Sequence, residues 1–441
     1  MASKEGKDLL SELESRLDNT DFIRLNGLIA KAIGIVIESK GPDVRVGDLC
    51  EIRYRDKSMS LPAEVVGFSE NRVLLMPLGD MAGVGPGNLV EAADSVLKVG
   101  VGKNLTGRVL DGLGYPIDDK PPFRPEEYYP TSNNPPHPLN RKRIREPLTL
   151  GIKSIDGLLT VGKGQRVGIF AGSGVGKSTL MGMIARNTKA DINVIALIGE
   201  RGREVREFIE KDLQEEGLSR SVVVVATSDQ PALVRLKGAY VATAIAEYFR
   251  DQGKDVLLLM DSLTRFAMAQ REVGLAIGEP PVSRGYTPSV YGAMPKLLER
   301  AGNSEKGSIT GLYTVLVDGD DLTEPVTDTA RGILDGHIVL SRALANRNQY
   351  PAIDVLASVS RVMSDIITPE HKKAAAEVKK ALAVYRDAED LINIGAYVKG
   401  SNEKIDHAIS LIDKILGFVQ QSTEDRYTFD EVLALLYDIL Q

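Results

Sequence analysis

The sequence predicts a multidomain protein: a small N-terminal β-barrel, a central α/β domain on a mostly parallel sheet, and a C-terminal α-helical domain, spanning residues 1–95, 96–368 and 369–441. Three observations carry that expectation. Short β-branched runs separated by Gly, Pro and Asp turns fill residues 27–91, continuous apolar runs alternate with amphipathic helical patterns over residues 149–361, and apolar residues recur at helical spacing beyond Pro369.

In chain order, Leu9, Leu10, Leu13 and Leu17 come first, at helical spacing with Glu12, Glu14 and Arg16 on other faces. They make a short amphipathic helix that either packs on its own domain or docks to a partner or a membrane surface. The barrel strands are read at Gly34–Ile37, Leu49–Ile52, Ala63–Val66 and Arg72–Met76. Between Asp118 and Pro147, Pro-Pro pairs begin at 121 and 135, which denies helix continuation and ladder donors and predicts an extended connector. Its basic stretch Arg141-Lys-Arg-Ile-Arg145 has no interleaved aromatics and reads as a solvated loop rather than a nucleic-acid patch. The runs Arg166–Phe170, Val194–Ile198, Val222–Ala226, Val256–Met260 and Thr314–Val317 then supply buried parallel strands. Val378, Leu382 and Tyr385, followed by Ile405, Ile409, Ile412, Leu416 and Val419, mark the helical region.

Composition excludes several classes. The 441 residues are 43% hydrophobic and 26% charged, as in an ordinary folded chain. A net charge of −7 gives no global attraction to nucleic acid or anionic lipid. Cys50 is the single cysteine, and His137, His337, His371 and His407 are scattered, so neither a disulfide scaffold nor a zinc site is expected. The N-terminus lacks the apolar core of a secretory signal, and no run reaches the ~20 apolar residues of a membrane span.

Chemistry concentrates after the strand that ends at Phe170. Ala171-Gly-Ser-Gly-Val-Gly-Lys-Ser178, followed by helical Thr179-Leu-Met-Gly, is a phosphate-binding loop in its strand–loop–helix context. Gly172, Gly174, Val175 and Gly176 would turn backbone N–H groups toward phosphate oxygens, with Ser178 and Thr179 opening a helix whose positive end adds to the field. Lys177 can reach the β and γ phosphates of ATP, and the Ser178 hydroxyl can ligate Mg²⁺. Asp261 closes the strand Val256–Met260 and would hold the Mg²⁺ through water. Glu200, at the end of Val194–Ile198, reads either as the carboxylate that orients the attacking water or as an acid complementing a helix dipole, a role that fits Glu204 better. Arg361 alone reads as a surface or salt-bridge arginine, and Tyr350 as a packed strand-end tyrosine.

Four blocks taken together resemble the rotary-type ATPase family of F- and V-type catalytic subunits and type III export ATPases. They are Ala171–Thr179, Gly199-Glu-Arg-Gly-Arg-Glu204, the stretch from Asp261 to Glu272, and Pro351-Ala-Ile-Asp-Val-Leu-Ala-Ser-Val-Ser360 followed by Arg361. Within the family, the phosphate loop, Pro280–Ser289 and Leu391-Ile-Asn-Ile-Gly-Ala-Tyr397 are most similar to the flagellum-specific export branch. The acidic Asp-Glu-Leu-Ser-Glu-Glu-Asp stretch of F-type β subunits is missing, which argues against the alternative of an F- or V-type synthase or pump subunit.

The resemblance implies a P-loop NTPase core of the RecA/F1 type and Mg²⁺-dependent ATP hydrolysis coupled to protein export. Lys177, Glu200 and Arg201 would be catalytic, Glu200 activating water, and Arg361 would act as an arginine finger on a neighbouring copy. Tyr350 would stack on adenine, and Val317–Thr323 would face a central shaft, a solvated acidic turn being the equal alternative. The implied assembly is a homohexamer, cytoplasmic and peripheral to the inner face of the plasma membrane. Its implied partners are an export regulator or stator engaging the N-terminal helix, a central coiled-coil shaft protein, an export gate and chaperone–substrate complexes, with no nucleic acid.

Overall fold

A computed structural model describes residues 26–54, 59–317, 321 and 323–441. The amphipathic pattern at Leu9–Leu17 lies outside the described residues, as does most of the Val317–Thr323 loop. The chain divides into two compact units, one ending at Leu97 and the other beginning at Lys98.

In the first unit, strands β1 (Gly27–Ile33), β2 (Val36–Lys40), β3 (Asp48–Arg53), β4 (Ser60–Ser69), β5 (Arg72–Pro77) and β6 (Leu89–Val96) close into a barrel in the order β1-β2-β5-β4-β3-β6. Alternation explains the closure. In β3, Cys50 and Ile52 point inward and meet Ile29, Ile37, Ala63, Val65, Leu75 and Val90 in one core.

The second unit is built on a sheet of order β17-β16-β10-β15-β13-β11-β12-β8. Its parallel strands are β8 (Val109–Asp111), β10 (Arg166–Ala171), β11 (Ile192–Ile198), β12 (Ser221–Ala226), β13 (Asp255–Asp261), β15 (Ser308–Leu316) and β16 (Gly336–Leu340). Every residue of β11 and β12 is buried, as expected where helices cover both sheet faces. β17 (Ile353–Ser360) runs antiparallel at one edge, and β14 (Gly302–Asn303) pairs antiparallel with β15. Among the described residues, no helix is long and apolar enough to cross a membrane.

The connector differs from expectation. β9 (Glu127–Pro130) pairs antiparallel with β7 (Lys98–Val101) inside the proline-rich segment. A proline withholds only its own N–H, and Pro130 sits at the ladder's end opposite Lys98, so Glu127–Tyr129 are free to pair. Beyond Thr368, which caps Pro369–Asn393 through its hydroxyl, the helices Glu403–Val419 and Phe429–Asp438 follow. The buried face of Glu403–Val419 is Ala408, Leu411, Ile412, Ile415, Phe418 and Val419, so the predicted stripe is rotated and Ile409 stays 37% exposed. Phe418 sets the rotation by filling the space over Gly157, where an added Cβ would meet its ring at 2.7 Å. These helices share one continuous core with Ile155, Leu158 and Ile169 of the sheet region.

Candidate nucleotide site

The loop after β10 turns through Gly174 (φ 76°) and Gly176 (φ 86°), left-handed conformations that a side chain would strain. The helix Lys177–Asn187 starts there, and its first i→i−4 bond is Leu180 N to Gly176 O. The N–H groups of Lys177, Ser178 and Thr179 therefore have no intrahelical partner and form a ready anion seat. Val175 is buried and offers only its backbone, and the Thr179 hydroxyl bonds Asp212. Gly172 borders a cavity of about 180 Å³ with Phe170, Val317, Arg342 and Asp354.

Three strand ends bring the charged groups together. Lys177 Nζ lies 2.5 Å from Asp261 Oδ1 and 3.6 Å from Glu200 Oε1. Asp261 ends β13 and also accepts from Thr314 Oγ1 on β15 at 2.6 Å. Glu200 is fixed by its backbone: Gly199 N donates to Ala226 O at 2.6 Å, and Ser228 N donates to Glu200 O at 3.0 Å. Burial, then the Asp261 charge, pushes the Glu200 carboxyl up to about 7, with Lys177 opposing. For Lys177, burial disfavours the ammonium, but Asp261 and Glu200 outweigh it and hold its pKa above the ordinary value. The site thus contains a firmly charged cation and a carboxyl that changes state near neutrality, the combination suited to phosphoryl transfer.

The residues present fit a Mg²⁺ ion. The Ser178 hydroxyl has no hydrogen-bond partner among the described residues, and Asp261 has a second oxygen beside the one taken by Lys177 and Thr314. No group of three or more His, Cys, Asp or Glu side chains is placed to hold a metal ion among the described residues. A hydroxyl and one carboxylate suit an ion that keeps waters and takes its other ligands from substrate phosphates.

Tyr350 and Arg361 flank β17, and the register separates them. Tyr350 precedes its start, where Ile353 pairs with Leu340 beside the phosphate loop, and a Cβ on Gly176 would lie 3.5 Å from the tyrosine ring. Arg361 follows its end, where its N–H donates to Asp335 O and Asp335 N donates to Arg166 O. Arg166 opens the six-residue β10 and Ala171 closes it, so Arg361 sits about 17 Å of strand away from its own phosphate loop. Its guanidinium is exposed and donates to Arg331 O at 3.2 Å. Arg201 also stays apart, 76% exposed and paired with Glu204 at 3.7 Å.

Sequence reasoning missed Arg265 and Thr314. The Arg265 stem packs on Gly199 and its Nε is buried without a partner. The available signal was position: Arg265 lies in the first turn of the helix Leu263–Ala276, which Ser262 caps directly after Asp261. Thr314, inside an apolar strand run, carried no such signal.

Residues 151–360 match the ATP synthase alpha/beta family nucleotide-binding domain, 29–93 that family's beta-barrel domain, and 367–438 the T3SS EscN ATPase C-terminal domain. The chain is 58% identical to the flagellum-specific ATP synthase of Bacillus subtilis, over 95% of this chain and 96% of that one. It is 50% identical to the type 3 secretion system ATPase of Xanthomonas euvesicatoria, covering 98% of both. The assembled ATPase EscN of the enteropathogenic E. coli type III secretion system superposes with a TM-score of 0.88 at 47% identity, covering 94% of this chain and 100% of that one. The chain belongs to the ATP synthase alpha/beta family and, within it, to the flagellar and type III secretion ATPases.

Proposed function

We propose that this ATPase hydrolyses MgATP as a homohexameric ring that energises flagellar or type III protein export, each active site being completed by a neighbouring copy. The observation that carries the reading is the placement of Tyr350 and Arg361 at opposite ends of β17. One end serves the chain's own nucleotide, and the other presents a forked, always-charged guanidinium away from it. Because every chain carries both Glu200 and Arg361, identical subunits joined head to tail complete one another, which generates a ring.

In the mechanism that follows, Lys177, Ser178, Thr179 and the glycine loop bind the triphosphate, and Tyr350 stacks on adenine. Mg²⁺, held by Ser178 and through water by Asp261, would neutralise charge on the phosphates. Glu200 orients the attacking water and accepts its proton at a carboxylate oxygen, Arg265 is a further cation at the β11 end, and Arg201, turned to solvent beside Glu204, would have to swing in to join it. The neighbour's Arg361 then stabilises charge on the γ-phosphoryl oxygens, a contribution of about 10³–10⁵ in rate.

A solved relative is described as EscN in complex with its central stalk EscO. By analogy a coiled-coil shaft enters the ring here, with a stator, an export gate and chaperone–substrate complexes as further partners at the inner face of the plasma membrane. The alternative of a synthase subunit is disfavoured by the match of residues 367–438 to a secretion-type C-terminal domain. The test mixes Arg361→Ala chains with Lys177→Ala chains. Hydrolysis partly returns if the finger acts between copies; absence of any recovery in rings shown to be mixed overturns the proposal.

A further inference from the structure

The basic stretch Arg141–Arg145, unused by the nucleotide site, is held in a fixed course. Arg141 anchors its start by donating to the carbonyls of Ala301, at 2.8 Å, and Glu299. Asn303 Nδ2 donates to the Lys142 carbonyl at 3.1 Å, and Ile144 packs so tightly on Gly162 that an added Cβ there would meet it at 2.3 Å. Lys163 N then donates to Glu146 O at 2.9 Å. With the backbone and the side chains of Arg141 and Ile144 held against the protein, Lys142, Arg143 and Arg145 are left exposed.

These cations border a cleft of about 600 Å³ that Lys306 also lines. None of Lys142, Arg143, Arg145 or Lys306 has a side-chain hydrogen bond or ion pair among the described residues. The lining also holds two acids, Glu146 and Asp255, which share the single cation Lys163 at 3.0 Å and 2.9 Å. Asp255 and Ser308 begin β13 and β15, which places the cleft at the strands' N-terminal edge, opposite the phosphate loop.

The geometry points to a docking cleft for an acidic, extended segment of a partner protein, its Asp and Glu side chains paired with Lys142, Arg143, Arg145 and Lys306. Four unpaired cations on an ordered backbone, in a chain of net charge −7, give local complementarity to carboxylates that the rest of the molecule opposes. Nucleic acid fits less well. No aromatic side chain lines the cleft to stack on a base, and Glu146 and Asp255, with only Lys163 between them, put uncompensated negative charge in the lining against a continuous phosphate backbone. A peptide can space its acids around them. The concavity also suits a chain better than a flat lipid surface.

The test titrates the full-length chain with a fluorescein-labelled peptide of alternating Glu and Ser, at rising salt. Binding that weakens with salt, and that falls by at least ~10-fold in Arg143→Glu/Arg145→Glu and again in Lys306→Glu, is expected. ATP turnover stays at the parental rate in these variants, which reports that they fold. Lys372→Glu/Lys373→Glu, an equal change of net charge on the exposed face of the helix Pro369–Asn393, retains binding. The proposal is overturned if the parent does not bind the peptide, if the Lys372/Lys373 variant loses as much affinity, or if oligo-thymidylate or phosphatidylglycerol vesicles bind more tightly than the peptide.

Discussion

Replacing Glu200 by Gln keeps the side chain's size and removes its capacity to take a proton. Loss of a positioned general base costs about 10²–10⁴ in kcat, or ~3–5 kcal/mol. The same substitution should stabilise the fold. Burial and the Asp261 charge raise the Glu200 carboxyl from 4.5 to about 7, and its side chain is only 14% exposed. Its folded-state pKa lies above the unfolded value, so the stability it contributes is complete below about 4.5 and is lost as pH rises through about 7. The difference approaches ~3 kcal/mol at pH 8 at ~1.4 kcal/mol per pH unit. Lys177 keeps Asp261 at 2.5 Å, so the change strands no cation. The assays are kcat and kcat/KM against pH and denaturant unfolding of parent and variant at pH 5 and pH 8. The parent's kcat/KM, which reports the free enzyme, should rise with pH through about 7, and the variant should be slow and flat yet more stable than the parent, with the stability gap wider at pH 8. Near-parental turnover, or a stability gap that is absent or shrinks with pH, would refute the assignment of Glu200.

Tyr350→Ala should raise the KM for ATP about 3- to 10-fold with a smaller change in kcat, as removal of one stacking ring implies; steady-state kinetics measure this. Arg300→Met should cost about 3–5 kcal/mol in denaturant unfolding because it strands Glu247, which is fully buried and paired with Arg300 at 2.7 Å, and adding Glu247→Met should recover most of the loss. Gln421→Ala should cost about 2–3 kcal/mol by the same measure, since its side chain satisfies both Lys153 N and Gly151 O at 2.9 Å. Chelating Mg²⁺ should abolish turnover and leave the melting temperature of the nucleotide-free chain unchanged, because the proposed ion is held mostly by substrate and water.

The sequence announced most of this site for a physical reason: binding phosphate requires glycines, a lysine and a hydroxyl at fixed spacing after a strand, and Ala171–Thr179 meets that requirement locally. Asp261 and Glu200 were legible as polar residues ending apolar runs. Pairing between distant segments was not legible. Whether Glu200 titrates near neutrality depends on Asp261 and Lys177 arriving from other strands, and the significance of Arg361 depends on β17 running antiparallel, which its own residues do not encode. The barrel's alternation was visible in β3, whereas the rotated face of Glu403–Val419 was decided by where Phe418 meets Gly157. The Pro-Pro pairs at 121 and 135 were overweighted: they lie outside β9, whose own Pro130 stands at the ladder's end.

The central claim is that one chain cannot complete its own site. Specific ATPase activity measured across chain concentrations that span assembly, with particle mass recorded at each point, tests it most directly. Activity per chain should rise by at least ~10³ in step with assembly, as the arrival of an arginine finger implies. Dissociated chains that hydrolyse ATP as fast, each, as assembled ones would contradict it.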